Sequence, residues 1–291
     1  MDNSFPLADH LYLVDPSLTE EHRPETLKPA SIRETQRLLE KYGGESMILA
    51  GGTSMTEDGL RSVRYLIDIG GLGLSYIMGN PDGVHIGAST SLQGILDSPL
   101  MHVSPFNVLT EAIQRIPQNV WGRATIGGSI CSSRSKDTPV ALIALDTRVV
   151  IVKVGVSKII PLSDFFIGDG ETALSRREFL KEVYIPKQPE TSGAAYVSTD
   201  SLRIGVWLNM DADGSCNDAH IVLGTDSTVP LRAFEAEKTL KGQTVTDRGA
   251  EDAALFVLEE MRNRGVSMQR KDDYYVSLIT QAILEAHKNT A

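Results

Sequence analysis

Two pairs of adjacent glycines, each followed by a hydroxyl side chain, constrain this chain more than any other feature. "ILAGGTSM" carries Gly51 and Gly52 after an apolar run, and "RATIGGSICSS" carries Gly127 and Gly128. Glycine adopts positive φ at little cost and allows close approach to the backbone. Successive N–H groups in such a turn form a concave anion site, and a flanking Thr or Ser adds a donor. The pair predicts two strand-to-turn breaks that hold one ligand, with two merely tight turns as the alternative.

Net charge limits which ligands and partners this chain can bind. Its 291 residues carry a formal charge of −10, which argues against nucleic acid and anionic membranes as partners. A phosphate-bearing ligand would therefore have to be held locally, by backbone N–H groups. The length and a hydrophobic content of 41% are enough for a sizeable core, and the length suggests two domains, or one large domain with a smaller one appended.

Cysteine usage and the apolar runs bear on location. Cys131 and Cys216 are too few to build a disulfide framework, a zinc site or an iron–sulfur cluster. Two isolated cysteines suit a reducing compartment, so we expect a cytoplasmic protein. The acidic, polar start does not resemble a secretory signal, and no apolar run reaches the length of a membrane span.

Hydrophobic periodicity gives a coarse secondary structure for the first two thirds of the chain. Residues 1–28 look irregular, and "ASIRETQRLLEKYGG" predicts a helix with a Ser31–Glu34 capping box that stops at Gly43. Further strands are predicted over 46–50, 64–69, 83–88, 148–154 and 178–186, and helices over 91–98, 106–116 and 138–145.

The pattern changes near residue 190. Strand-like segments over 194–210 and 216–224 flank a turn, "DADGS", and two or three helices are predicted to follow. Strands followed by helices predict an α+β domain. We therefore divide the chain into residues 1–188 and 189–291.

Other functional motifs are missing or incomplete. The six histidines are scattered, and neither a P-loop nor a G-x-S-x-G elbow occurs. "LIDIGGLGLSYI" does not complete a dinucleotide fingerprint, so a glycine-rich turn is the better interpretation. We predict no metal site and identify no catalytic side chain.

"MILAGGTSM" and "GRATIGGSICSSRSKDTPVALIALD" resemble the two flavin loops of a known family. That family is the FAD-binding (medium) subunit of molybdenum hydroxylases of the xanthine dehydrogenase and carbon monoxide dehydrogenase type. "FFIGDGETALSRREFLKEVYIP" resembles the segment that closes its flavin domain, and the resemblance spans roughly residues 28–285. It implies an α+β chain with the two-subdomain FAD-binding fold of vanillyl-alcohol oxidase and the reductase MurB, split near residue 80. A smaller α+β C-terminal domain would follow.

The same resemblance implies which residues bind FAD. The first loop would hold the pyrophosphate through Ala50, Gly51, Gly52, Thr53, Ser54 and Met55. The second would bind around the pyrophosphate and ribityl chain through Thr125, Gly127, Gly128 and Ser129. Asp137 would accept hydrogen bonds from FAD hydroxyls, or would instead cap the following helix.

Several positions depart from the family pattern. Ser54 stands where the family often has Asp, and Ser129 where it has Asn. Trp121, in "NVWGR", could stack on the flavin or fill the core. After Tyr196, two hydroxyl residues (198–199) replace the basic residues that the family carries.

The resemblance implies an oxidoreductase subunit that transfers electrons. Partner subunits would carry the iron–sulfur clusters and the molybdopterin, and FAD would pass electrons to NAD or another acceptor. The alternatives are a stand-alone flavin reductase and a scaffold subunit that has lost FAD.

Overall fold

The structure, a computed structural model, describes residues 24–132, 137–168, 170–225 and 229–290. Most of the lead-in predicted as irregular lies outside these ranges. Its last part was predicted wrongly, because Glu25–Leu27 forms a strand that pairs in parallel with Tyr65–Asp68. None of the described helices combines the length and hydropathy needed to cross a bilayer.

A small parallel sheet opens the described chain. Its elements are β1 (Glu25–Leu27), α1 (Ile32–Tyr42), β2 (Ser46–Leu49), α2 (Glu57–Arg61) and β3 (Tyr65–Asp68), with strand order β1-β3-β2. The predicted capping residues act at the start of α1, where Ser31 Oγ accepts from Glu34 N at 3.2 Å. Gly43, at φ +46°, ends the helix as expected. The first glycine loop leaves the carboxyl end of β2.

An antiparallel sheet follows, with strand order β4-β5-β10-β6-β7. Its strands and their connections are β4 (Ile77–Asn80), β5 (Gly83–Gly87), α3 (Leu92–Leu96), α4 (Asn107–Ile113), α5 (Ile126–Cys131), α6 (Asp137–Ala144), β6 (Arg148–Lys153), β7 (Val156–Pro161), β8 (Phe166–Gly168), β9 (Glu171–Thr172) and β10 (Phe179–Pro186). One face packs into the main core through Ile86 and Val149. The other face, at Val152 and Phe179, packs against Ile67 of the parallel sheet.

A third sheet and three helices form the last part. They are β11 (Ser192–Ser198), β12 (Leu202–Met210), β13 (Cys216–Thr225), β14 (Leu231–Arg232), α7 (Phe234–Leu240), α8 (Asp247–Asn263) and α9 (Asp272–Lys288), with the strands in sequence order and antiparallel. Buried α6 lies against this sheet. A Cβ at Gly205 would lie only 3.0 Å from the Val140 carbonyl oxygen, so strand and helix backbones are close neighbours.

The long predicted segments are confirmed, whereas short or exposed ones were missed. Edge strand β7 escaped prediction because its side chains are largely exposed and give little hydrophobic signal. The strand-like segment over 194–210 is two strands joined by a turn at 199–201. No strand precedes the second glycine pair within the described residues: Thr125 makes a single bridge to Ser91, and α5 begins at once.

Docking of α9 on β11 requires glycine at position 193. A Cβ there would lie 2.4 Å from both the Ala286 oxygen and the Thr290 nitrogen. We expect Gly193→Ala to lower the free energy of unfolding by about 1–3 kcal/mol, because backbone atoms must separate. Gly71→Ala, whose Cβ would meet nothing within 4 Å, serves as control and should change stability by less than about 0.5 kcal/mol. Urea unfolding measures both, and equal effects would contradict the backbone contact.

Candidate functional site

The first glycine loop presents a row of free backbone donors. Gly52 has φ +69°, a conformation that favours glycine, and the loop closes with Met55 N donating to Gly52 O at 3.4 Å. Among the described residues, no protein acceptor takes the N–H groups of Gly51, Gly52, Thr53 and Ser54. Four consecutive donors beside two hydroxyl side chains suit an anion.

The second glycine loop is built differently. Thr125 Oγ1 accepts from Gly128 N at 3.1 Å, and Gly127 N donates to Ala88 O at 3.0 Å. Ser129 N donates to Thr125 O at 2.9 Å. These N–H groups therefore serve the fold. The glycines allow the start of α5 to approach β5, because a Cβ at Gly127 would lie 2.8 Å from Ala88 O.

The two loops touch through Gly51. A Cβ at this position would lie 1.8 Å from the carbonyl oxygen of Arg123, a distance that no real contact allows. Gly51 therefore serves the packing of one loop on the other, while Gly52 supplies the unusual φ. The two glycine pairs thus jointly form one site.

A cavity of about 410 Å³ lies between these loops, the parallel sheet and β10. Nine of the predicted residues line it: Ala50, Gly51, Gly52, Thr53, Ser54, Met55, Thr125, Gly127 and Gly128. Ser129 and Asp137 do not. Ser129 is buried in α5, and Asp137 faces the third sheet.

Sequence reasoning missed the remaining wall of the cavity. It includes Met47, Ile48, Thr56, Gly59, Ile69, Ala88, Cys131, Ser132, Leu174, Glu178, Phe179 and Leu180. Burial raises the pKa of the Cys131 thiol to about 12, so that thiol stays protonated. The available signal was the start of "EFLKEVYIP", whose first residues are the Glu178–Leu180 part of the wall.

Asp137 is held by the third sheet. Its Oδ1 accepts from the Tyr196 hydroxyl at 2.6 Å and lies 3.9 Å from Arg203 Nε. Burial and then the Asp137 charge raise the pKa of Tyr196, which keeps the phenol as the donor. Arg203 lies directly across from Ser198 in the β11–β12 register. A neighbouring strand thus supplies a cation near the position where the family pattern has one.

The surroundings of Trp121 favour a role in the core over stacking on the flavin. It packs against the main hydrophobic cluster, and its indole Nε1 donates to Ile116 O at 2.8 Å. It is not among the residues that line the cavity.

The comparisons with known proteins agree on one family. Residues 21–188 match the model described as "FAD binding domain in molybdopterin dehydrogenase", and residues 200–290 match "CO dehydrogenase flavoprotein C-terminal domain". The chain is 31% identical over 242 residues to the 6-hydroxypseudooxynicotine dehydrogenase complex subunit alpha of Paenarthrobacter nicotinovorans, covering 77% of this chain and 80% of that one. It is 30% identical to the nicotinate dehydrogenase FAD-subunit of Eubacterium barkeri, covering 81% and 85%.

The fold matches a solved structure as well. A carbon monoxide dehydrogenase chain from Hydrogenophaga pseudoflava superposes with a TM-score of 0.81 at 25% identity. The match covers 92% of this chain and 99% of that one. The FAD-binding fold with an appended C-terminal domain, expected from the sequence, is thereby confirmed.

The loop contact predicts a sharp effect of one methyl group. Gly51→Ala must separate the loops, since its Cβ would overlap Arg123 O. We expect the dissociation constant for FAD to rise at least about tenfold, equal to about 1.4 kcal/mol. Gly122→Ala, where nothing lies within 4 Å of the new Cβ, should bind FAD as the wild type does. Fluorescence titration of FAD measures both, and unchanged affinity of Gly51→Ala would refute the loop contact.

The Asp137 contact predicts a stability effect. Tyr196→Phe removes a donor from a buried carboxylate and should lower the free energy of unfolding by about 1–3 kcal/mol. Tyr184→Phe is the matched control, because its hydroxyl donates to Asp82 O at 2.9 Å in an exposed position. That control should cost less than about 0.5 kcal/mol. Urea unfolding of the two variants tests the difference, and similar losses would speak against the buried contact.

Proposed function

The chain belongs to the family of FAD-binding medium subunits of molybdenum hydroxylase-type oxidoreductases, and on that premise we propose that it is the electron-transfer subunit of such a complex. When bound, FAD would supply the redox chemistry by which electrons from iron–sulfur clusters reach NAD or another acceptor. The single observation that carries the site assignment is the row of four free N–H groups in the first glycine loop.

The charge of the cavity supports a backbone-held pyrophosphate. No Lys or Arg occurs among its described lining residues, and Glu178 is the charged one. A pyrophosphate here would be stabilised by the N–H groups of residues 51–54, with the Thr53 and Ser54 hydroxyls as further donors. This agrees with an acidic chain that binds phosphate locally.

We propose a different balance of roles in the second loop. Thr125, Gly127 and Gly128 would shape the cavity beside the pyrophosphate and ribityl chain, since the backbone donors of the two glycines are already engaged. Ser129 and Asp137 would act indirectly, Ser129 through its N–H bond to Thr125 O at the start of α5 and Asp137 by positioning α6.

We propose partners and boundaries on the same basis. An iron–sulfur subunit and a molybdopterin subunit would complete the enzyme, and the two free cysteines suit a cytoplasmic location. The support for partners is that the relatives include a subunit of a dehydrogenase complex. We propose a boundary after residue 188, supported by the ranges of the two matched families, and a split near residue 80. The parallel sheet ends at Asp68 and the antiparallel sheet starts at Ile77, which supports that split.

The visible absorption spectrum tests the assignment. We expect flavin bands that survive gel filtration, both for the chain purified alone after adding FAD and for any complex pulled down by a tag on it. The complex should also contain iron and molybdenum by elemental analysis. A folded chain whose isolated and complexed forms both lack flavin would overturn the proposal. Flavin without iron or molybdenum in the complex would overturn the proposed partners alone.

A further inference from the structure

Glu178 is a charged group in an otherwise neutral cavity wall. Its side chain is only 6% exposed and lies beside the apolar residues Leu174, Phe179 and Leu180. Burying a carboxylate among apolar groups is costly unless donors compensate it. Its presence in a ligand cavity therefore calls for an explanation.

Donors from Ser175 and Lys158 compensate the buried carboxylate. Ser175 N donates to Oε2 at 2.9 Å, and Lys158 Nζ lies 3.1 Å from each of the two oxygens. Burial opposes ionisation, but these donors together lower the pKa of Glu178, so it is charged at neutral pH. An ionised carboxylate has about four acceptor positions. Oε2 accepts the hydrogen bonds of Ser175 N and Lys158, whereas Oε1 has the Lys158 ammonium 3.1 Å away and has room for a further donor.

The position of Glu178 indicates which part of the ligand it meets. Phe179, the next residue, packs with Ile69 and Val152 where the parallel sheet meets β10. The second glycine loop forms another side of the cavity, beside Ala88. If the proposed function holds, that side takes the ribityl chain, and the Glu178 side is left for the other half of the dinucleotide.

The chemistry of adenosine matches this wall. A purine offers a flat apolar face to the apolar residues of this wall, and adenosine carries an exocyclic amino group and ribose hydroxyls as donors. We propose that Glu178 accepts a hydrogen bond from the adenosine half of FAD and so selects the dinucleotide over flavin mononucleotide (FMN). The inference rests on the proposed function and adds a recognition residue to it.

A purely structural role makes a different prediction. Glu178 N also donates to Ser175 O at 3.0 Å, so the side chain could simply close this turn. In that case its replacement would lower stability and weaken every flavin ligand equally. Selective loss of adenosine-containing ligands separates the two roles.

Glu178→Gln is the direct test. The amide oxygen would remain with Ser175 N and Lys158, which turns the amide N–H₂, a donor, toward the donor of the ligand. We expect the dissociation constants of FAD and ADP to rise at least about tenfold, with FMN changed less than about twofold. The full chain, with any subunits that copurify, is first stripped of flavin. Fluorescence titration then gives the dissociation constants of FAD and FMN, and displacement of bound FAD gives that of ADP.

Glu190→Gln is the matched control, because it makes the same carboxylate-to-amide change at an exposed position that does not line the cavity. It should retain FAD and ADP affinity within about threefold. The inference would be overturned if Glu178→Gln weakened FAD binding and FMN binding equally, or if both variants lost the same affinity for FAD. A wild type that binds FAD, with Glu178→Gln binding it equally well, refutes this inference alone. A wild type without FAD refutes the proposed function.

A measurement on the wild type keeps the test valid if Glu178→Gln does not fold. Recognition of adenosine requires that ADP displace FAD at a concentration at least about tenfold lower than inorganic pyrophosphate does. Equal potency would show that the phosphates alone are bound, and would overturn the inference.

Discussion

The contact between Gly51 and the carbonyl of Arg123 is the constraint on which the site depends. It joins a loop that leaves the parallel sheet to a loop that precedes α5, two segments more than seventy residues apart. Any side chain at position 51 would separate them, since even a methyl carbon would lie 1.8 Å from the oxygen. The cavity depends on the close approach of the two loop backbones, which only a glycine at position 51 permits.

The two glycine pairs that meet at this contact have different roles. The N–H groups of Gly127 and Gly128 donate to Ala88 O and Thr125 Oγ1, and these hydrogen bonds hold the second loop in place. The first loop, packed on this support, keeps its own donors free. Fixed dipoles can stabilise an anion without lysine or arginine, which suits the proposed pyrophosphate site in a chain whose formal charge is −10.

Much of this was accessible from the sequence, and the rest was not for definite physical reasons. The glycine pairs and the periodicity of the long helices and strands are local signals, so the loops and most elements were predicted. The cavity wall at Glu178 depends on how β10 packs against a sheet more than a hundred residues earlier, which no local pattern encodes. The acceptor of the Gly127 N–H group depends on the position of Ala88, which the local sequence does not give.

Asp137 illustrates how a predicted ligand contact can be satisfied by the fold. Asp137 is the first residue of α6, and its carboxylate accepts a hydrogen bond from the hydroxyl of Tyr196, 59 positions away. At the other end of the helix, His220 Nδ1 lies 2.8 Å from the Ala144 carbonyl oxygen and acts as its donor. Burial lowers the pKa of His220, so the ring there is neutral. The third sheet therefore holds α6 at both ends, and α6 packs against α5, the helix that begins at the second glycine pair. In this way the C-terminal sheet, which contributes no residue to the cavity wall described here, helps to keep the loop in the position where Gly51 can meet it.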